Sequence, residues 1–322
     1  MTSKSALGEL EAIERLAARF GQPARGVELA IGDDCAVLDI PGRVVWTIDD
    51  CVEGVHFERR LSSLEDVGYR SFAAAVSDLG AMGATPIAAL SALMLPKGTR
   101  RRELDAIARG QAEAAGTHRC PVVGGNIARG PVLAITTTAI GRADEPLTRS
   151  GACDGDELWL VGQLGLARAG LLLLQRHGAR RPRGVSRAAF DVCVQAWRRP
   201  AALLARGRAL VGRATACLDV SDGLAGDAAH LAKASKQRVV VEAQALARAL
   251  RPELEEAAKL LGTTALELAI TGGEDYALLA TGPREKRPRW ARRIGRVESG
   301  KGALLESEGR TRPLHRGFDH LR

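Results

Sequence analysis

The sequence predicts a two-domain protein of the α/β (α+β) class. Three observations predict it. Strand-like and helix-like segments alternate through both halves of the chain. The 322 residues suffice for two cores of ordinary size. The composition is 46% hydrophobic and 26% charged, as in globular proteins, and with aromatics at 3% the cores must be built from Ala, Val, Leu and Ile.

Leu7, Leu10, Ile13, Leu16 and Phe20 recur at helical spacing, so residues 5–20 read as an amphipathic helix stopped by Gly21 and Pro23. The β-branched run 43–49 reads as a strand ending at Asp49. Ser62 with Glu65, or Ser63 with Asp66, can form a capping box for a helix running to about Met82. A strand at 87–95, a charged helix near 100–115 and strands at 119–124 and 131–140 complete a first block. The second block has a strand at 157–161, helices near 165–177, 187–197 and 200–211, and a strand at 214–219. A helix then opens at Asp222. A strand at 237–242, helices at 252–261 and 264–270, a strand at 276–280 and short strands beyond 294 follow. Trp46, Trp159 and Trp197 are expected to be packing residues.

The net charge of +8 is carried mostly by Arg, spread along the chain with short clusters at 180–183 and 286–293. Such a balance suits a nucleic-acid partner or an enzyme for anionic substrates. No zinc-finger, helix-turn-helix or RNP-like signature accompanies it, so no nucleic-acid partner is expected. Six cysteines lie far apart without a C-x-x-C pair, as expected of reduced thiols. No apolar run approaches the roughly 20 residues that span a bilayer. The N-terminal stretch lacks a signal core. No membrane association is expected, and the expected location is the cytoplasm.

The informative feature is the placement of the aspartates, in Gly- and Ser-rich segments at strand ends and helix starts. The segments are Gly32-Asp33-Asp34, Asp49-Asp50, Ser77-Asp78-Leu79, Asp219-Val220-Ser221-Asp222-Gly223 and Gly272-Gly273-Glu274-Asp275. Singly, each is explained by a turn or a cap. Together they ask for more, because a carboxylate in apolar surroundings is costly unless it is paired or binds a cation. Hard oxygen donors of this kind suit Mg²⁺ completed by substrate phosphates, which points to phosphoryl transfer. The P-loop, the dinucleotide fingerprint and the protein-kinase motifs are absent. Gly124-Gly125-Asn126 after an apolar strand lets backbone amides approach a phosphate.

These segments resemble the thiamine-monophosphate kinase (ThiL) family, within the aminoimidazole ribonucleotide synthetase (PurM-like) superfamily. The matching stretches are Ile31 to Ala36, Asp49 through Glu53-Gly54-Val55-His56-Phe57, Ser77 to Ala84, Val123-Gly124-Gly125, Leu147 to Ala152, Asp219 to Leu224, Thr271 to Tyr276 and Gly317-Phe318-Asp319-His320. They occur in family order over nearly the whole chain. The resemblance implies an N-terminal domain over 1–147, which binds ATP and Mg²⁺ and forms a homodimer through its mixed sheet. A C-terminal α+β domain over 148–322 completes the active site. It further implies ATP as co-substrate, several Mg²⁺ ions, and thiamine monophosphate as acceptor. By matching position, Asp34, Asp49, Asp78, Asp219 and Asp222 hold metal and Thr47 adds a ligand. Gly125, Arg149 and Ser221 contact ATP, and His56, Glu274 and Phe318 contact the thiamine phosphate.

Two positions depart from the family pattern. Asn126 stands where many members carry a metal-binding Asp, and Ile48 where many carry Thr. Asn126 is kept as a metal and ATP contact, and Asp50, a carboxylate where Thr is usual, is expected to ligate metal and make up for the lost charge. His56 can equally be a structural histidine, and Phe318 can stack on substrate or pin the tail.

An acceptor phosphate monoester, with a second pKa of about 6, is already largely dianionic at neutral pH and needs little general base. No residue is therefore assigned as a catalytic base, and direct in-line transfer is expected. The alternatives are another PurM-like ATP-dependent synthetase, or a catalytically weakened nucleic-acid-binding or regulatory homologue.

Overall fold

The structure, a computed structural model, describes residues 9–20, 26–29 and 36–314. Asp34, Phe318 and the rest of the segments 31–35 and 317–320 lie outside the described residues. The chain divides into two compact units, Met1–Leu79 with Thr85–Asp144, and Gly80–Ala84 with Glu145–Arg322.

The first unit runs α1 (Glu9–Phe20), β1 (Val27–Leu29), β2 (Val37–Leu38), β3 (Val44–Val52), α2 (Leu64–Ala81), β4 (Thr85–Pro96), α3 (Arg101–His118), β5 (Val122–Gly130) and β6 (Ala134–Arg142). The last two residues of α2, Gly80 and Ala81, count with the second unit. Of the two possible capping pairs, Ser63 and Asp66 cap α2: the Asp66 N–H donates to Ser63 Oγ at 3.1 Å, and that hydroxyl donates back to Asp66 Oδ2 at 2.8 Å. β1 and β2 pair with each other. The main sheet has the order β3-β6-β4-β5, parallel only between β4 and β5.

One face of that sheet is core. Cys51, Leu93, Leu95 and Ile135 pack against Ala12 of α1, Val67 of α2 and Leu104 and Ile107 of α3. The alternation of a strand sends the intervening residues to the other side. There Trp46 is 72% exposed and Ile48 67%, with Val44, Leu90 and Met94 also exposed. Trp46 is therefore not the packing residue the sequence suggested, whereas Trp159 and Trp197 are fully buried. β3 also continues three residues past Asp49, to Val52, because Cys51 still finds the core.

The second unit runs β7 (Glu157–Val161), α4 (Leu166–His177), α5 (Arg187–Arg198), α6 (Leu204–Leu210), β8 (Ala216–Val220), α7 (Leu224–Ser235), β9 (Arg238–Glu242), α8 (Ala243–Ala249), α9 (Pro252–Leu261), α10 (Ala265–Thr271), β10 (Ala277–Gly282), β11 (Arg292–Glu298), β12 (Gly302–Ser307) and β13 (Arg310–Pro313). The sheet order is β13-β12-β9-β11-β7-β10-β8, parallel only between β9 and β12. Both faces are covered, so β7, β8 and β10 are buried along their length and are apolar on both faces apart from Glu157, Asp219 and Thr281. Leu158, Leu160, Leu218, Val220 and Leu279 face a core with α7, α8 and α10. Trp159, Val161, Cys217 and Leu278 face another with Ala81, Leu147 and Leu210. α8 is absent from the sequence reading because it starts on the last strand residue, without a turn. No helix among the described residues is long and apolar enough to cross a membrane.

Candidate active site

Each unit carries part of the candidate residues. In the first, β3 places Thr47 and Asp49 on its helix-facing side, and Asp78 projects from α2. The Thr47 hydroxyl donates directly to Asp78 Oδ2. The Asp50 N–H donates to Asp49 Oδ1 at 2.9 Å. The Asp50 side chain points to the exposed side, where the Thr136 hydroxyl donates to it.

The register fixes Asn126 relative to these groups. Asn126 lies beside Ala92, Ala92 beside Thr136, and Thr136 beside Asp50. Asp50 and Asn126 thus share a row of the sheet but stand three strand spacings apart, about 14 Å at ~4.8 Å per strand. Within one chain they cannot hold the same ion. The expectation that Asp50 makes up for Asn126 fails on this geometry, as does any sharing of an ion between the Asp50 and Asp49 side chains across the sheet. Gly125 falls on the row of Asp49, through Ser91 and Thr137. His56 sits in the turn after β3. Its ring Nδ1 accepts the Val52 N–H at 3.0 Å and its backbone N–H donates to Val52 O at 2.8 Å, so the turn holds this imidazole.

In the second unit the acidic residues gather at the end of β8. Asp219 is only 5% exposed and shares its face of the sheet with Cys217 and Leu278. α7 opens at Leu224 rather than at Asp222, with Gly223 as its cap, leaving Ser221 and Asp222 in the connecting bend. The Asp222 N–H donates to Asp227 Oδ2 at 3.2 Å. Asp227, 4% exposed, was missed by the sequence reading, as was His230. Donor atoms of Asp222, Asp227 and His230 all lie within 4.8 Å of one another. Their signal was the three-residue spacing of Asp227 and His230 on α7, which puts both on one helix face beside the motif. Burial, then the charges of Asp222 and Asp219, push the Asp227 carboxyl up to about 8, while Arg149 pulls it down. This oxygen-rich group is short of positive charge, which is the chemistry that a divalent cation satisfies.

The segment Gly272–Tyr276 is bolted to that bend. The Glu274 N–H donates to Ser221 O at 2.7 Å and the Tyr276 N–H to Val220 O at 2.9 Å. Only glycine fits at 273, where a Cβ would collide with Ser221 O. Glu274 and Tyr276 hold φ of 65° and 50°, left-handed values that non-glycine residues avoid. Asp275 between them turns its carboxylate to the start of α4, accepting from Gly165 N–H at 2.5 Å and Ala167 N–H at 3.0 Å. Burial pushes that carboxyl up to about 7, against the pull of the two amides.

Comparison with known proteins accounts for these motifs. Residues 32–143 match the family model described as AIR synthase related protein, N-terminal domain. A thiamine-monophosphate kinase of Mycobacterium tuberculosis is 36% identical over 308 residues, covering 93% of this chain and 87% of the relative. The chain belongs to the thiamine-monophosphate kinase family. Solved members of that family share its fold, PurM-like in both units. The crystal structure of the enzyme from Stenotrophomonas maltophilia superposes with a TM-score of 0.82 at 31% identity, covering 94% of this chain and 98% of that one. A structure of AaThiL complexed with AMPPCP and TMP superposes with a TM-score of 0.79 at 31% identity, covering 98% of each chain.

Proposed function

We infer that the protein transfers the γ-phosphoryl group of ATP to thiamine monophosphate, giving thiamine diphosphate and ADP. The observation that carries this reading is the crowd of carboxylates at the end of β8, in a chain related over nearly its whole length to kinases for this acceptor. The complex of AaThiL with an ATP analogue and TMP supports the same pair of ligands here.

In the proposed step an oxygen of the acceptor phosphate attacks the γ-phosphorus, the bond to the β-phosphate oxygen breaks, and ADP leaves. The acceptor arrives without a proton to remove, so the protein supplies alignment and charge rather than a base. Bound Mg²⁺ supplies charge neutralisation between the two anions. Asp219 and Asp222 in one unit, and Asp49, Asp78 and Thr47 in the other, are its proposed protein ligands, with Asp34 kept from the family pattern and Asn126 kept at a position where many members carry Asp. Ser221, Gly125 and Arg149 are proposed to contact ATP. Glu274, held in its strained conformation by the bolt to Ser221, is proposed to pair with the aminopyrimidine, and Phe318 to contact the acceptor. His56 has a structural function in its turn, which favours that reading over substrate contact.

We also propose a cytoplasmic homodimer joined through the bare sheet face of the first unit, where Trp46, Ile48 and Met94 are exposed. The direct test of the reaction is an ATP–Mg²⁺ assay with thiamine monophosphate, thiamine and aminoimidazole precursors side by side. Diphosphate product from thiamine monophosphate alone is expected. Turnover of a precursor instead would favour a synthetase of the wider superfamily.

A further inference from the structure

A different charged feature of the second unit is lined by none of these residues. The end of α8, the short turn Arg284–Lys286 and the start of β11 line an open surface pocket of about 520 Å³. Its walls carry six arginines, Arg248, Arg284, Arg287, Arg289, Arg292 and Arg293, and no carboxylate. Glu285, in the turn itself, is exposed and in no ion pair among the described residues, and the ion pairs of the wall are made with carboxylates outside the lining. Arg293 pairs with Glu242 at 2.5 Å and Glu157 at 3.9 Å, and Arg287 with Glu157 at 3.5 Å.

The other four have no ion pair among the described residues. Arg248, Arg284 and Arg289 are exposed at the rim. Arg292 is half-buried and held by carbonyls, donating to Ala249 O at 2.6 Å and to Gly162 O at 2.7 Å. Burial and the nearby Arg251 charge push its guanidinium below the usual range, the mark of a cation lacking an anion.

We propose that this pocket binds a small polyanion carrying linked phosphate groups. Guanidinium forks match phosphate oxygens two at a time, and like charges gathered in a concave wall focus an attractive field on an anion. The volume falls within the roughly 300–1,000 Å³ of small-molecule sites. Three guanidinium forks without an ion pair, Arg248, Arg284 and Arg289, with the charge of Arg292 behind them, outnumber the charges of a dicarboxylate and suit linked phosphates. A nucleic-acid strand would need a free aromatic face on which to stack its bases. Trp290, the aromatic residue beside the pocket, already has Arg206 over its ring at 4.6 Å.

The test is calorimetric titration of the full chain with inorganic tripolyphosphate, at low salt and with EDTA present. Removing divalent cations leaves the carboxylates at the end of β8 repelling the probe. Single-site binding that weakens with salt is expected. In the triple variant Arg248→Gln/Arg284→Gln/Arg289→Gln, binding should weaken about tenfold or more. Kinase turnover by the same variant should stay within about twofold of wild type, since exposed substitutions away from a site change little. No binding by wild type, or equal binding by the variant, overturns the proposal. So does a random single-stranded oligonucleotide that binds through these arginines while tripolyphosphate does not.

Discussion

The two units treat both their sheets and their carboxylates in opposite ways. The four-stranded sheet of the first unit is covered on one face and shows Trp46 and Ile48 on the other, while the seven-stranded sheet is covered on both. In the first unit, hydroxyls answer the acidic groups: Thr47 serves Asp78 and Thr136 serves Asp50. In the second, Asp219 and Asp227 are buried, and with Asp222 they raise one another's cost. The first unit is thus incomplete in apolar cover, and the acidic group at the end of β8 in the second is incomplete in positive charge. Each deficit names what should fill it, a second sheet in one case and cations in the other.

The sharpest test of the difference is Asp222→Asn. Turnover should fall by about 10³-fold, as expected on losing a metal ligand and its transition-state charge. In EDTA the same variant should melt higher than wild type, because Asp227 loses a repelling neighbour. A lower melting point would mean that the acidic group is not under electrostatic strain.

Asp275→Ala should come next. It leaves the Gly165 and Ala167 amides unanswered at the start of α4, at a cost of about 2–3 kcal/mol in urea unfolding. Asp275 also gives a pH signature. Its carboxyl titrates near 7 in the folded chain and near ~3.9 when unfolded. Between those values the folded state holds the proton and the unfolded state does not, so this group's contribution is full below about pH 4 and is lost as pH rises through 7. Asp275→Asn should flatten that part of the stability profile, read as the difference in urea midpoints at pH 5 and pH 8. An unchanged slope would remove Asp275 as its source.

Trp46→Glu addresses the bare face. A central aromatic residue of an interface is worth about 2 kcal/mol or more, so sedimentation should show monomer at concentrations where wild type is a dimer. A wild-type monomer would end the proposal that this face joins two copies. Asp50→Thr should do least. With Asn126 three strands away, magnesium dependence and rate should change by less than about twofold.

Much of the fold was legible because periodicity carried it. The runs at 157–161 and 214–220 carry apolar residues on both faces because both faces are covered, with Glu157, Thr215 and Asp219 as the polar exceptions, and α4, α5, α7 and α9 show their stripes. α8 was not legible, since Ala243–Ala249 follows β9 with no turn residue between them. The end of β3 was misplaced because a polar pair was taken as a stop, although Cys51 still reaches the core. In the candidate site, adjacency misled: Asp49 and Asp50 are neighbours in sequence and, on a strand, necessarily point apart. Asp227 and His230 went unnoticed because they belong to the motif only once a helix brings them round beside it. The strain at Glu274 leaves no trace in composition, since it comes from bonds to a segment fifty residues earlier.

The short stretch Gly80–Ala84 has a practical consequence. It sits among residues of the second unit, with Gly207 so close to Gly80 O that any side chain there would collide. A fragment beginning at 145 would leave that groove open, with Leu147 and Leu210 stripped of Ala81. Excising either half by one cut should yield insoluble material. Grafting residues 80–84 back through a linker is the manipulation to try first.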